Sequence, residues 1–457
     1  SWFNFALRMI KRLIRNLLSC GKILLKAGLC HSSRQWRQTL NRLPQKDLLF
    51  VSHLLNLNQY KEKIDFYFAD LPQRVAREGH STLTIMLNHS GLSSNKYLLK
   101  NEKLHSKMVL PDTMRLKSEV LNLRKLWKES LRLKRLAKSE TDCFKKKVLS
   151  WSSVEAFSSV SLNTLRKNDQ IREILEHTVS PIMLTTYEGH PWERMAFHGA
   201  RSANPNILCV GYTHAPIFER QHAVSRPLSF RYDPDRILTS GKVQKQQLEN
   251  TKKLSKIPIE ILGSKRVIDA RKDKLKAAHY LCNNQIRSKI CLVLPEGIIS
   301  ETKLLFSYSL QCAKEYPDLH FIWRLHPLLS FEALADMDPL YRSMPTNVEL
   351  STKRLEDDFE RSQWSLYRGS SAVVPALMAG LKPVYLHKLG EMKIDPLYEL
   401  KCWREEVQTT EDFNTIMRSP VEFDDSYTEA CIYAQKIYEP FSHQPLLYLL
   451  ENKNNDT

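Results

Sequence analysis

The sequence predicts an α/β protein with two Rossmann-like domains that face each other across a cleft. From residue 47 onwards, short apolar runs alternate with helical stretches, which is the pattern of βαβ units around a parallel sheet. The alternation comes in two sets, and a segment rich in Lys and Arg, from residue 265 to about residue 278, separates them. At 457 residues the chain is long enough for more than one domain of roughly 100–200 residues.

Residues 1–46 predict an amphipathic membrane-surface helix followed by a basic linker. At about 100° per residue, the aromatic and aliphatic side chains of residues 2–18 fall on one broad side of a helix. The opposite side carries four cations, Arg8, Lys11, Arg12 and Arg15. Such a helix is suited to lie on an anionic bilayer surface, and its repeated charges argue against a membrane span. An ordinary core helix and an Arg-rich targeting segment are the alternatives.

The first Rossmann-like domain is expected within residues 47–275. Its apolar runs predict six strands, at residues 48–53, 83–88, 182–186, 207–212, 237–241 and 257–264. A Leu-rich basic stretch at residues 100–150 has a helical composition, and it predicts a basic helical insertion into this domain.

The second Rossmann-like domain is expected within residues 276–425. Its predicted strands at residues 290–297, 319–325, 364–367 and 383–386 alternate with predicted helices at residues 300–315 and 370–380. The last segment, residues 426–457, is expected to be a helix that crosses back onto the first domain.

The net charge of +18 is concentrated in two segments. Residues 1–46 carry ten Lys or Arg and no acidic residue, and residues 100–147 carry fifteen Lys or Arg against six Asp or Glu. The remaining body is close to neutral and contains no helix-turn-helix, RNA-recognition or zinc signature, which argues against nucleic-acid binding. The pattern favours contact with an anionic lipid or glycan. Nine cysteines without C-x-x-C spacing indicate reduced thiols of an intracellular protein.

The segment Tyr-Glu-Gly-His-Pro-Trp-Glu at residues 187–193 is the strongest candidate for a catalytic site. It links a predicted strand to a helix, and such a turn opens into the crevice at the carboxyl ends of parallel strands, where ligands bind. Glu188 is therefore the candidate general base, and Glu193 is the second candidate. His190 and His214 are expected to line the acceptor or donor pocket. A charge at a helix N-terminus is the alternative role of Glu188.

Two strand ends of the second half predict a phosphate site. His326 stands in a His-Pro pair at the end of one strand, and Ser370 and Ser371 open the helix that follows another. Hydroxyls and free backbone N–H groups at a helix start bind phosphate. The other candidates for this site or its pocket are Arg324, Arg368, Glu296 and Gly297. A strand terminator and a helix cap are the alternative roles of the His-Pro pair and the serines.

Two Asp-x-Asp pairs, Asp233-Pro-Asp235 and Asp336-Met-Asp338, have a spacing that some metal sites use. The first pair is also typical of a turn that leads into a strand, and the second lies in a polar connection. We expect neither a metal site nor a cofactor.

A set of motifs resembles the bacterial GT-B glycosyltransferases that use CMP-activated acidic sugars. The motifs are, in order, the Glu-Gly turn at residue 188, the His-Pro pair at residue 326 and the Ser-Ser pair at residue 370. These enzymes include sialyltransferases, polysialyltransferases and the Kdo transferases of capsule and lipopolysaccharide assembly. The resemblance spans roughly residues 180–390. Tyr187 departs from it, because the family commonly has a second acid at that position.

The resemblance implies a GT-B fold with the acceptor domain first and the nucleotide-sugar domain second. It implies that Glu188 is the base, that His326 contacts the CMP phosphate, and that Ser370 and Ser371 hold phosphate. The implied reaction transfers Kdo or a sialic-acid-like sugar, without a metal and with inversion, to a glycan acceptor of lipopolysaccharide, O-antigen or capsule. The implied location is peripheral, on the cytoplasmic face of the bacterial inner membrane, where a lipid-linked glycan is accessible.

Two other classes of function are compatible with the sequence. The same scaffold could serve a CDP-alditol phosphotransferase of teichoic-acid type or a sugar-nucleotide epimerase, and an epimerase would convert its nucleotide sugar without an acceptor. A non-catalytic basic protein that binds membrane or nucleic acid is the other class. Salt-dependent retention of an unrelated RNA would favour it.

Overall fold

The computed structural model of the protein describes residues 2–30, 32–62, 64–90, 105–267, 289–327 and 329–455. Within them the chain forms two parallel β-sheets, one in each half, with helices packed against both. The predicted α/β class with two Rossmann-like halves is confirmed. The expected boundary near residue 275 lies outside the described residues.

The first sheet has seven parallel strands in the spatial order β3-β2-β1-β4-β5-β6-β7. The strands are β1 (Leu48–Leu54), β2 (Thr82–Asn88), β3 (His105–Val109), β4 (Ile182–Thr186), β5 (Leu208–Thr213), β6 (Arg236–Thr239) and β7 (Ile259–Ile261). Runs of consecutive buried residues form β1, β2 and β4, as expected for parallel strands that are covered on both faces.

Nine helices are described in the first half. They are α1 (Trp2–Cys30), α2 (Ser33–Leu40), α3 (Leu57–Lys61), α4 (Leu71–Arg77), α5 (Leu116–Ser139), α6 (Cys143–Ala156), α7 (Ser159–Leu175), α8 (Pro191–Ala203) and α9 (Lys242–Asn250).

The second sheet has six parallel strands in the order β10-β9-β8-β11-β12-β13. The strands are β8 (Ile290–Leu294), β9 (His320–Trp323), β10 (Val348–Leu350), β11 (Trp364–Tyr367), β12 (Lys382–Leu386) and β13 (Glu405–Val407). The α-helices described here are α10 (Ile299–Glu315), α11 (Phe331–Met337), α12 (Leu355–Arg361), α13 (Val373–Met378), α14 (Thr410–Arg418), α15 (Asp425–Ile437) and α16 (Gln444–Asn455).

The start of the predicted basic helical insertion is a strand. β3 pairs in parallel with β2 and all five of its residues are buried, so residues 105–109 belong to the first sheet. The strand tolerates a lysine because the ammonium of Lys107 donates to the carbonyl of Glu62 at 2.5 Å. Helices begin only at Leu116, which corrects the expectation that the whole stretch is helical. Its average composition concealed a short buried strand.

Helix α1 is longer than the predicted amphipathic segment, and one side of it packs on the helical layer. Arg12 forms a bidentate ion pair with Glu155 of α6, and Asn16 donates to the carbonyl of Val154 at 2.9 Å. Cys20 is buried in a small apolar cluster with residues of α5 and α7. Arg12 therefore faces the protein rather than the predicted solvent-exposed basic side.

The C-terminal segment forms two helices rather than one, and it contacts both halves. Helix α15 packs in the core of the second half, whereas Leu446, Leu449 and Leu450 of α16 join a core cluster of the first sheet. Between them the backbone N–H of Ser264 donates to the carbonyl of Glu439 at 2.7 Å. Pro440 interrupts the helical pattern here, because proline cannot continue a helix interior.

Arg166 and Glu119 should anchor the helical layer to the first half. The guanidinium donates to the carboxylate at 2.5 and 3.1 Å, and the two side chains are 4% and 0% exposed. We predict that Arg166→Ala lowers the free energy of unfolding by about 3–5 kcal/mol, because it leaves the Glu119 charge buried and unpaired. Denaturant unfolding measures this change.

The control is Arg132→Ala, which removes an exposed partner of Glu129 in a pair of the same type. It should leave the unfolding midpoint nearly unchanged, since an exposed pair contributes little. An equal shift in both variants would contradict the anchoring role.

Candidate active site

The carboxyl ends of β1 and β4 form the switch point of the first sheet. The chain adds β2 and β3 on one side of β1, and then adds β4 to β7 on the other. A crevice that binds ligands is expected at such a point. His53 lies near the end of β1, Glu188 follows β4 and His214 follows β5.

The turn after β4 presents Glu188 to this crevice. Gly189 has a φ of +82°, and a Cβ at this position would collide with the backbone of Ala223, so the turn requires glycine. Pro191 then begins α8, where its fixed φ suits the first helical turn. The sequence therefore determines the position of Glu188 through its two neighbouring turn residues.

Glu193 holds the same turn from inside the fold. Its carboxylate accepts hydrogen bonds from the backbone N–H of Glu188 at 3.0 Å and of His190 at 2.7 Å. The residue is only 1% exposed, and burial raises its pKa to about 8 despite the lowering effect of His190. Glu193 is thus a positioning residue, which corrects its prediction as a second base, because its side chain is occupied by the helix start.

Glu188 is an ionised carboxylate in contact with two histidines. Its Oε2 lies 3.0 Å from Nε2 of His190, and its Oε1 lies 3.4 Å from Nε2 of His214. Burial raises its pKa, but the hydrogen bond from His190 and the charges of the neighbouring histidines outweigh burial and hold the pKa at about 2. The same hydrogen bond raises the pKa of His190. The Glu188 side chain stays 27% exposed, so a ligand can reach it.

His53 lies behind this carboxylate, and both His53 and His214 are neutral near pH 7. Burial lowers the pKa of His53 to about 3, and it lowers the pKa of His214 to about 4 against the raising effect of Glu188. Nδ1 of His53 lies 2.9 Å from Nε2 of His89, and Nε2 of His53 lies 3.0 Å from Oγ1 of Thr186.

His53, His89, Tyr67 and Trp192 were not among the predicted site residues. The indole of Trp192 packs edge-on against His53, and the ring of Tyr67 packs edge-on against His214. His53 stands at the end of the first predicted strand, so a rule that inspects every strand end could have found it. The pairing of β1 with β4 brings it to Glu188, and strand order is not visible in the sequence.

The second sheet has its own switch point, between β8 and β11. The carboxylate of Glu296, after β8, accepts a hydrogen bond from the backbone N–H of Gly369, after β11. A Cβ on Gly297 would lie 2.9 Å from Nδ1 of His326, so this glycine allows the imidazole to pack against the backbone. Three predicted residues, Glu296, Gly297 and His326, are therefore brought together.

Arg266 connects the two half-sites. Its Nη1 donates to Oγ of Ser371 at 3.0 Å and to the hydroxyl of Tyr438 at 3.2 Å. Burial and then the charge of Arg266 lower the pKa of His326 on the second half, and the same charge contributes to the lowered pKa of His214 on the first half. This arginine was missed because its basic surroundings predicted a linker.

Other predicted residues lie apart from this cluster or are engaged elsewhere. Helix α13 starts at Val373, later than predicted, so Ser370 and Ser371 lie in the turn before it. The guanidinium of Arg324 donates to Asp358 at 2.7 Å and to the carbonyl of Lys353. Buried Arg368 pairs with Glu301 and Glu391. The bonds of Arg324 use Nη1 alone, whereas buried Arg368 donates from Nε, Nη1 and Nη2.

The Asp-x-Asp pairs are engaged in ion pairs. Asp233 pairs with Arg194, and Asp235 lies 2.8 Å from Arg201. Asp336 pairs with exposed Arg342. In the described part of the chain, no group of three His, Cys, Asp or Glu side chains has an arrangement that could hold a metal ion.

Comparison with solved structures identifies the fold. The chain is similar to an α,α-trehalose 6-phosphate synthase from Burkholderia multivorans, with a TM-score of 0.52, 8% identity and coverage of 90% of this chain and 99% of that one. The chain is also similar to a UDP-forming α,α-trehalose-phosphate synthase from Burkholderia vietnamiensis, with a TM-score of 0.51, 8% identity and coverage of 89% of this chain and 99% of that one. Both halves of the chain are covered, and the likeness shows a GT-B fold. No protein-family model and no curated protein matches the chain.

We predict that Glu188→Gln lowers the pKa of His190 towards that of an ordinary histidine. The hydrogen bond that His190 donates to Glu188 is the largest cause of the raised value, and an amide carries no charge to retain the imidazolium. NMR titration of the His190 ring would measure this shift.

The control is Glu219→Gln, a change of an exposed carboxylate on the loop after β5. It should leave the titration of His190 as in the wild type. A wild-type titration of His190 in Glu188→Gln would contradict the contact.

Proposed function

We propose that the protein is an inverting, metal-independent glycosyltransferase that moves Kdo or a sialic-acid-like sugar from a CMP-sugar to a glycan acceptor. The acceptor belongs to lipopolysaccharide, O-antigen or capsule biosynthesis. The GT-B fold supports the class of reaction. The single observation that carries the proposal is the occurrence, in one protein, of a partly exposed, ionised Glu188 and a basic and hydroxyl-bearing half-site around Arg266.

Glu188 supplies the base. The acceptor hydroxyl attacks the anomeric carbon, its proton passes to the Glu188 carboxylate, and the bond from the anomeric carbon to the CMP phosphate breaks. A carboxylate can assist such a transfer by about 10²–10⁴-fold. The acceptor hydroxyl can donate to a free lone pair of the Glu188 carboxylate or displace His190 from Oε2.

The second half-site receives the leaving group. Negative charge grows on the CMP phosphate as the bond breaks, and preorganised donors stabilise it without a metal. Arg266, Ser371 and His326 supply a guanidinium, a hydroxyl and an imidazole at this place. Base and phosphate site belong to opposite halves of the chain, an arrangement that supports the proposed attack and departure on opposite faces of the sugar, with inversion of the anomeric carbon.

We predict that Glu188→Gln reduces transfer by about 10²–10⁴-fold while CMP still binds, because the variant loses the base and keeps the phosphate site. Release of CMP from CMP-Kdo or CMP-sialic acid, with a surface-glycan extract as acceptor, measures transfer. Thermal stabilisation by CMP measures binding, and EDTA should change neither result.

His326→Ala should lose the stabilisation by CMP, and His320→Ala, an exposed position at the start of the strand that precedes His326, should keep it. Full transfer by Glu188→Gln would contradict the role of the base. Stabilisation by UDP but not CMP would contradict the donor, and conversion of the donor without acceptor would favour the epimerase alternative.

We further infer a peripheral position on the cytoplasmic face of the bacterial inner membrane, through α1. Its outer side exposes a continuous apolar stripe, which consists of Phe3, Leu7, Ile10, Ile14, Leu17, Leu18, Leu25 and Leu29. Exposed cations flank this stripe, namely Arg8, Lys11, Arg15 and Lys22. This arrangement suits an anionic bilayer surface. None of the described helices is long and apolar enough to cross a membrane.

We predict that Ile10→Ser with Ile14→Ser weakens binding to phosphatidylglycerol vesicles by about tenfold or more, since each buried aliphatic side chain contributes about 1.5–3 kcal/mol. Vesicle co-sedimentation measures the effect. The control is Leu389→Ser, which removes an exposed leucine of the second half. Equal co-sedimentation of both variants and the wild type would contradict the inferred surface.

A further inference from the structure

A second cavity adjoins the Glu188 crevice on the side of α1. It has a volume of about 340 Å³ and is lined by residues from α1, the end of β2, α7 and the start of α8. Two of its lining residues, His89 and Trp192, both contact His53, which itself influences the charge of Glu188. A ligand that fills the cavity would thus lie next to the proposed base.

Lys167 points a buried cation towards this cavity. The residue is 7% exposed, and its ammonium has a single long hydrogen bond, 3.4 Å to Oε1 of Gln170. Among the described residues no carboxylate forms an ion pair with it. Burial, and then the charge of Arg166, lower its pKa to about 7. A buried amine is costly to charge unless a counter-charge reaches it.

Asp112 does not supply that counter-charge fully, although it lines the same cavity. Its Oδ2 accepts from the ammonium of Lys26 at 2.9 Å, and its Oδ1 accepts from the amide of Asn88 at 2.9 Å. Both oxygens already have partners, so the charge of Asp112 is largely balanced by Lys26. Lys167 remains the cation whose partner is missing.

We propose that this cavity binds an anionic group of the acceptor, a phosphate or a carboxylate, with Lys167 and Lys26 as its cations and His89 as a further donor. The proposal rests on the proposed function, because it identifies the acceptor as a charged glycan. Bound there, the anion places a neighbouring hydroxyl of the acceptor beside Glu188. It also fixes which hydroxyl reacts, since the distance from the anion to the base selects one position.

Lys26 connects the cavity to the membrane-facing helix. Its side chain is 47% exposed and belongs to α1, whose outer side carries the apolar stripe. An acceptor with a lipid anchor in the bilayer beside α1 would therefore reach the cavity without leaving the membrane surface. The phosphate of a lipid headgroup and an anionic group of the glycan would form the same kind of ion pair with Lys167.

The test measures binding of inorganic phosphate by calorimetry, with CMP present to occupy the donor half-site. We expect Lys167→Met to weaken phosphate binding by about tenfold or more, as loss of a buried charge partner should. Lys26→Ala, a change at a half-exposed position that keeps the fold, should weaken it to a smaller extent. The matched control is Lys314→Met, which removes an exposed lysine of α10 and should bind phosphate as the wild type does.

Binding of sulfate, which stays doubly charged over this range, should also be tighter at pH 6 than at pH 8, since only the charged amine of Lys167 binds an anion. The charged and titratable groups that face Lys167 are Arg166 on the same helix, Glu119 on α5, Asp112 on the loop before α5 and His89 after β2. The pH dependence should disappear in Lys167→Met. If the pH dependence of sulfate binding persists there, another group binds the anion and the proposal is overturned.

Vesicles of phosphatidylcholine with and without phosphatidic acid distinguish the sources of the anion. Displacement of phosphate by phosphatidic acid, absent in Lys167→Met, assigns the cavity to a lipid headgroup. Phosphate binding that both vesicles leave unchanged assigns it to a charge on the glycan. Equal phosphate affinity in the wild type and Lys167→Met overturns the proposal. If CMP does not bind, the phosphate titration is repeated in His326→Ala, a variant with a weakened donor half-site. Phosphate binding that this variant retains is then assigned to the cavity, independently of the donor.

Discussion

The parallel arrangement of both sheets is the constraint on which the site depends. Parallel strands need crossover connections, so all their carboxyl ends lie along one edge of a sheet. Each sheet reverses its strand order once, between β1 and β4 and between β8 and β11. Glu188 and His326 follow strands at these edges. The hydrogen bonds of Arg266 to Ser371 and Tyr438 then join the half-sites.

The first half-site combines one ionised acid with imidazoles that burial keeps neutral. Glu188 keeps its charge because His190 donates to it and because the turn exposes it, whereas Glu193 is buried beneath the same turn. His53 and His214 can donate or accept without adding charge. The result is a carboxylate at a defined point, paired with His190, while Arg266 carries a positive charge at the second half-site. This polarity suits removal of a proton on one side and departure of a phosphate on the other.

Sequence patterns predicted most of the fold and about half of the site. Buried apolar runs such as 182–186 and 364–367 are strands in the structure at the same residues. β10 and β13 were not predicted because each has only three residues, of which two are acidic or partly exposed. β3 was not predicted because Lys107 interrupts its apolar pattern. Local motifs pointed to Glu188, His326 and Ser371, which lie after strands of the two sheets. His53 stands at a strand end without a motif to mark it, and strand order brings it to Glu188. Arg266 could not be found this way, because the return of the C-terminal segment creates its contact with Tyr438.

A crystal structure with bound CMP tests the central claim most directly, since the claim is that one nucleotide-sugar site forms between the two sheet edges. The account predicts the CMP phosphate within hydrogen-bond distance of Arg266, Ser371 and His326, with the space above it open to Glu188. A nucleotide bound elsewhere, or a phosphate held by Arg324 or Arg368 with Arg266 turned away, would contradict it.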